Sequence, residues 1–186
     1  EKIPHTEKIF SIFEEYTEWI TKGKLSPSVE LGKKVLITTN QNNLIVDYLV
    51  MDHLSDSESV VDLCDRITKK IKVIKSWSFD KGFYSKKNKE YLAKVVENLI
   101  MPKKGKRNAA EKEEETAKSF KLWRNKHSAV ESNVNELEHC GLDRCPDKGY
   151  ENFQRYIAMG VTAYNLRRIG KQLLTQDAAT KLKKSA

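Results

Sequence analysis

Hydrophobic and polar positions follow two different periods along this chain, and the period changes several times. Lys33-Lys34-Val35-Leu36-Ile37-Thr38-Thr39 and Leu44-Ile45-Val46-Asp47-Tyr48-Leu49-Val50-Met51 are rich in β-branched residues, with the polar cluster Asn40-Gln41-Asn42-Asn43 between them. That arrangement predicts a β-hairpin closed by a tight turn. From residue 57 to about residue 70 the period lengthens, and Val60, Val61, Leu63, Cys64 and Ile67 recur at helical spacing. Residues 71–79 return to a strand pattern that ends on Asp80 and enters the Lys81-Gly82 turn. Ser85 offers a cap for a helix over residues 87–97, with Tyr91, Leu92, Val95 and Val96 on its inner face. Leu99-Ile100-Met101 reads as a short strand stopped by Pro102.

A long helix is predicted over residues 109–139. Glu111 and the run Glu113-Glu114-Glu115 fall near its start, where the helix dipole favours acids. Phe120, Trp123, Val130, Val134 and Leu137 form one apolar stripe, with His127 inside it and Glu131 on its edge beside Arg124 and Glu138. A last helix runs from residue 150 to about 174, with Phe153, Ile157, Val161 and Tyr164 on one face. Gly160 and Ala163 suit close packing there. The first thirty residues mix short apolar runs with breakers; Ile9, Phe10, Ile12, Phe13 and Tyr16 suggest a short helix or a packed loop, and Pro27 and Gly32 bracket the next connection. The segment after Gln176 reads as a basic, frayed tail. A hairpin followed by alternating helix and strand argues for an α/β fold, a mixed sheet with helices packed on it.

Composition narrows the function classes. The 186 residues suit one domain with a sizeable core, over residues 1–176. A net charge of +8 and pI ≈ 9.2 favour a polyanionic partner, nucleic acid or an anionic membrane surface. No apolar run is long enough to span a membrane, and no signal peptide is visible. Cys64, Cys140 and Cys145 are an odd number, which fits a reducing compartment better than a disulfide framework. His139 with Cys140 and Cys145 offers one loose pair and no second knuckle, which argues against zinc. There is no Gly-rich phosphate loop, no Gly-x-Ser-x-Gly elbow and no His-Glu-x-x-His.

Four features carry candidate chemistry, each with a plainer alternative. Asp80 stands at the end of a strand, where α/β folds place working residues, so it is either a metal-binding acid or a residue that shapes the following turn. Glu131 either faces Asp80 from the margin of the buried helix face or pairs with Arg124 or Lys126 at the surface. His127 either orients a phosphate or a carboxylate or is a satisfied core residue. The loop Lys103-Lys104-Gly105-Lys106-Arg107 either contacts phosphates or is simply solvated.

Ser78-Phe79-Asp80-Lys81-Gly82-Phe83-Tyr84-Ser85 resembles the second-acid motif of bacterial insertion-sequence transposases of the DDE type. His127-Ser128-Ala129-Val130-Glu131-Ser132, continuing through Asn135-Glu136-Leu137-Glu138 to Gly141-Leu142-Asp143-Arg144-Cys145-Pro146-Asp147, resembles the segment with the third acid. Ile3-Pro4-His5, Phe10-Ser11-Ile12-Phe13-Glu14, Thr17-Glu18-Trp19-Ile20, Arg155-Tyr156 and Tyr164-Asn165-Leu166 are similar to the same group, so the resemblance covers nearly the whole chain. It implies a ribonuclease-H-like fold and metal-dependent DNA cleavage and strand transfer with two divalent ions, Mg²⁺ or Mn²⁺, held by three carboxylates. Asp80 is then the second acid and Glu131 the third. Lys81, Lys103, Lys104, Lys106, Arg107, Arg124 and His127 are the expected phosphate contacts. The implied partner is double-stranded DNA, as element ends and target, with no membrane and a cytoplasmic, nucleoid-associated setting. A homodimer on DNA is expected from the resemblance alone.

Two departures qualify these expectations. The family's first acid should precede the hairpin, and nothing in this chain matches it. Asp47 and Asp52 lie on or just after the second hairpin strand, which is the wrong place. The expectation is therefore a fragment lacking its first acid-bearing strand and inactive alone. Related transposases also show a Tyr, Arg, Glu, Lys series on the last acid-bearing helix. Arg124, His127, Glu131 and Glu138 stand at those positions here, and only the Glu agrees. The competing readings are a non-catalytic basic DNA-binding module and a structural protein with no nucleic-acid role.

Overall fold

A computed structural model of the chain describes residues 3–4, 7–22 and 26–184. His5 of the N-terminal resemblance and residues 185–186 of the expected tail lie outside the described residues. The chain divides into two compact units, Glu1–Asp52 with Asn133–Ala186, and His53–Ser132.

The first unit holds the predicted hairpin. Strands β3 (Val35–Thr39) and β4 (Ile45–Val50) pair antiparallel from Val35↔Val50, with a register irregularity at Thr38/Thr39. The Asn40 side chain closes the turn by accepting from the Asn42 and Leu44 amides at 2.9 and 3.0 Å. Asn43 takes the left-handed conformation (φ 58°) that Asn tolerates better than most residues. A second antiparallel pair, β1 (Glu18–Thr21) with β2 (Val29–Gly32), follows the expected helix or loop and takes in residues read as a connection. The apolar residues just before it do not form a helix. Ser11 Oγ accepts from the Phe13 and Glu14 amides, a local turn that competes with helical bonding and leaves Ile12 and Phe13 exposed.

Helix α5 (Tyr150–Lys184) supplies the unit's core. Its predicted face is the buried one: Ile157, Val161 and Tyr164 pack with Ile45 and Leu137, and Phe153 lies half-buried against them. A Cβ at Gly160 would sit 2.6 Å from Leu142 Cδ2, so close packing holds there, whereas Ala163 is exposed. The helix runs well past residue 174, because Ala, Leu and Lys in the tail are good helix formers.

Side chains of α5 also complete the hairpin's hydrogen bonding. The Asn165 amide accepts from Ile45 N–H at 2.8 Å and donates to Ile45 C=O at 2.9 Å. Tyr164 Oη donates to Asn43 C=O, and Gln172 donates to Asn42 C=O. Asn165→Ala strands both backbone groups of a buried residue, and is expected to lower unfolding free energy by about 2 kcal/mol. Urea unfolding checks this, and a change under about 0.5 kcal/mol would mean that water replaces the amide.

The second unit contains helix α1 (Val60–Lys70), strand β5 (Ile74–Ser78), a short 3-10 turn (Lys81–Phe83), helix α2 (Lys86–Leu92), strand β6 (Val96–Ile100), helix α3 (Ala109–Thr116) and most of helix α4 (Lys118–Leu137). Val60, Leu63, Cys64 and Ile67 of α1 are buried, as the period predicts, while Val61 is exposed. Ser85 caps α2 by accepting from the Asn88 amide at 3.0 Å. Val96 opens a strand rather than lining a helix. Strands β5 and β6 pair parallel from Ile74↔Val96 to Ser78↔Ile100.

The single long helix expected over residues 109–139 is broken. Ala117 leaves the helical region (ψ 139°), and Thr116 Oγ1 donates back to Glu113 C=O at the break. Val134 of the predicted stripe is 38% exposed, whereas Phe120 and Leu137 are buried. The fold is α/β, with antiparallel and parallel pairing both present. Among the described residues the strands pair two by two.

Candidate active site

Everything that positions the candidate acids lies in the second unit. Phe79 is 4% exposed, its ring rests 4.8 Å from Trp77 and 5.7 Å from Phe83, and its amide donates to Ile100 C=O at 2.9 Å. Buried aromatic packing thus anchors the strand end, and the next residue, Asp80, emerges exposed. Asp80 Oδ1 accepts from the Lys81 amide at 2.7 Å and caps the 3-10 turn. The turn-shaping role is therefore real, and it orients the carboxylate. Behind the turn, a Cβ at Gly82 would lie 2.4 Å from Asp56 Oδ2, so position 82 has no room for a side chain unless Asp56 moves.

His127 joins the strand to α4. Its Nδ1 lies 2.9 Å from Ser78 Oγ, and the ring is half-buried. Burial holds the imidazole below its usual pKa, against the opposing fields of Asp80 and Glu131. One imidazole thus feels both carboxylates. Glu131 stands one helical turn further along α4 and is exposed. Of the cations considered as its surface partners, Lys126 lies over the Trp123 ring at 4.3 Å, and Arg124 is exposed in the field of Glu115.

Because the folded pKa of His127 is lowered, the folded state binds fewer protons than the unfolded chain just below pH 6.5. The associated stability is present above pH 6.5 and is lost as pH falls through the lowered folded value. In chelator, wild type is expected to lose stability from about pH 6.5 downwards more steeply than His127→Gln. Parallel pH curves for the two proteins would show that this ring titrates normally.

The basic loop is partly spent inside its own unit. Lys103 Nζ donates to both carboxylate oxygens of Glu111 at 2.7 Å, and its amide donates to Glu115 at 2.8 Å. Arg107 Nε lies 2.8 Å from Glu115 Oε2 as an ion pair, its N–H not directed along a hydrogen bond. The Glu111 bond raises the Lys103 pKa, and the same pair lowers that of Glu111. Burial works to raise Glu115, but the Lys103 amide and the Arg107 guanidinium outweigh it. Lys81, Lys104 and Lys106 remain exposed. Asp80 and Glu131 thus both act on the His127 ring through their fields, and Lys103 and Arg107 are tied to acids of α3. The role of Ser78 was not singled out from the sequence. Its only signal was its place two residues before Asp80 in the motif.

The family model for the transposase DDE domain matches residues 3–166. The chain belongs to that family. No curated protein and no solved structure matches it. The matched segment of this transposase domain includes Ser78, Asp80, His127 and Glu131 and ends within α5. The element order of hairpin, helix, acid-ending strand, helix, strand and helix is consistent with a ribonuclease-H-like domain. Transposases act on DNA, which agrees with the net charge of +8. No helix of the described residues is long and apolar enough to cross a membrane.

Proposed function

We propose that this chain is the catalytic part of a DNA-cleaving and strand-joining transposase in which Asp80 and Glu131 are two of the acids that hold divalent ions, and that it works as a dimer on DNA. The carrying observation is the imidazole of His127, which is bonded to the strand end at Ser78 and lies in the fields of both Asp80 and Glu131. The donor set fits Mg²⁺ or Mn²⁺. Both acids are exposed oxygen donors, which hard cations require. Burial lowers the pKa of the His127 ring and so favours its neutral form, which adds no charge to repel a cation. Bound ions would supply activation of a water or 3′-hydroxyl and stabilisation of the leaving oxygen.

The chain's own groups do the positioning. The Lys81 amide fixes one oxygen of Asp80, Ser78 fixes the face of His127, and α4 carries Glu131 one turn on. Lys81, Lys104 and Lys106, exposed to water, are the cations best suited to phosphates. The reading as a non-catalytic basic module is less favoured, because Lys103 and Arg107 are tied to Glu111 and Glu115.

Mn²⁺ titration by calorimetry tests the assignment. Asp80→Asn and Glu131→Gln are each expected to weaken binding about tenfold or more, a cost of roughly 1.4 kcal/mol. Unchanged affinity in both variants would remove these two acids from the site.

A further inference from the structure

Helix α5 has a second apolar stripe, on the side opposite the one it buries. Met159, Leu166, Ile169 and Leu173 are 72%, 65%, 41% and 55% exposed. With Thr162, Ala163 and Gly170 they lie within about 60° of Leu166 on a helix of 3.6 residues per turn. Ile157, Val161, Tyr164 and Arg168 fall on the far side, packed or bonded within the unit. Ala158, Met159, Thr162, Ala163 and Leu166 line a shallow depression, where small residues lie between two large ones. A stripe this continuous on an outer face marks a contact surface.

The order of residues along the stripe points to the occupant. Place a two-fold axis at Leu166 and lay a second α5 antiparallel to the first. Leu166 then meets its own copy, Met159 meets Leu173, Ala163 meets Ile169, and Thr162 meets Gly170. Each pairing of unlike size sets a large side chain against a small one or a flexible one against a branched one. The next position outward sets Arg155 against Asp177, closing both ends of the stripe with opposite charges. Both residues are exposed, and both fall on the Leu166 side of the helix. Between them the stripe is roughly 33 Å long at 1.5 Å per residue. An isologous two-fold contact requires this kind of self-complementarity, in which residue i meets j and j meets i.

We propose that the outer face of α5, from Arg155 to Asp177, is the surface through which two copies of this chain pair antiparallel across a two-fold axis at Leu166. The pairing deepens the dimer proposed above, and it needs neither DNA nor the acids. It is tested by sedimentation equilibrium of the whole chain without DNA. The expected mass is twice 21.5 kDa at tens of micromolar. Leu166→Glu, with helix content unchanged by circular dichroism, is expected to raise the dimer dissociation constant about 100-fold or more. Arg155→Glu is expected to weaken the dimer about tenfold, and adding Asp177→Lys in the same chain to restore most of that loss. Asp80→Asn should leave the mass unchanged, so failure of the acid assignment and failure of this one are separate results. A wild type that stays monomeric, a dimer indifferent to Leu166→Glu, or a charge swap without rescue would each overturn the proposal. The first of these outcomes would assign the stripe to a different partner.

Discussion

Asp80→Asn and Glu131→Gln are expected each to lower Mg²⁺-dependent strand cleavage about 10³-fold or more in the transposase that carries this chain, roughly 4 kcal/mol of transition-state stabilisation. The expected loss is chemical rather than steric, since each replacement keeps the side chain's shape and removes its charge. Asp80 can still accept the Lys81 amide hydrogen bond as Asn, so the turn should survive. Both positions are exposed, so neither substitution buries an unpaired group. DNA binding should change little, because phosphate affinity comes from cations. A radiolabelled oligonucleotide with an element end reads cleavage on a gel, and a mobility shift reads binding. Loss of cleavage with binding intact supports the acid assignment. Cleavage retained by either variant would take that residue out of the chemistry, and loss of binding in step with cleavage would favour a binding role. The double variant should be scarcely worse than either single one, because groups that act as a unit are not additive.

Lys33→Met is expected to lower unfolding free energy by about 3 kcal/mol, the largest stability effect foreseen here. The Lys33 side chain is 1% exposed and its ammonium donates to both Glu18 and Asp52, with the Tyr150 ring 5.6 Å away. Removing the cation leaves Glu18, whose side chain is 14% exposed, without this partner. Asp52 is 61% exposed and adds little, because water screens it. Burial works to lower the Lys33 pKa, and the bonds to Asp52 and Glu18 outweigh it, so the net direction is upward. A raised folded value means that the contribution is fully present below the unfolded pKa, near 10.5, and is lost as pH rises through the folded value. The deficit of Lys33→Met should therefore be constant across neutral pH and shrink in strong alkali. Guanidinium unfolding at several pH values checks this. A cost below about 1 kcal/mol would place the cluster with ordinary surface pairs.

Much of the element order could be read along the chain because it depends on local period. The hairpin over residues 33–51, helix α1 and the buried face of α5 each repeat a pattern long enough to name the element. The strand that leads to Asp80 could be read too, since its apolar pattern stops at Asp-Lys-Gly, whereas the role of the acid stayed open between metal binding and turn shaping. The failures were local contests that period does not register. Val96 suits a helix face and a strand equally well, and pairing with Ile74 decides for the strand. Ser11 and Thr116 carry hydroxyls that compete with helical bonding; one decides for a turn where helix or loop was open, and the other lies at the break in an expected helix. Strands β1 and β2 stabilise each other across the chain and carry little signal singly.

The site divides in the same way. Residue types and motif order marked Asp80, Glu131 and His127 along the chain, because carboxylates and an imidazole at those positions are chemically conspicuous. Only the tertiary structure bonds His127 to Ser78 and sets its ring in the fields of both acids. A hydrogen bond between Ser78 and His127 joins residues far apart in sequence, and no periodicity encodes it. The basic loop shows the converse. Four basic side chains of one loop looked available for phosphates, yet α3 folds Glu111 and Glu115 back onto Lys103 and Arg107. The sequence by itself determined which groups carry charge and, where the period ran long enough, which segments become helix or strand. The tertiary structure decided which charges meet each other and which meet water, because an ion pair depends on distance across the fold and not on order along it.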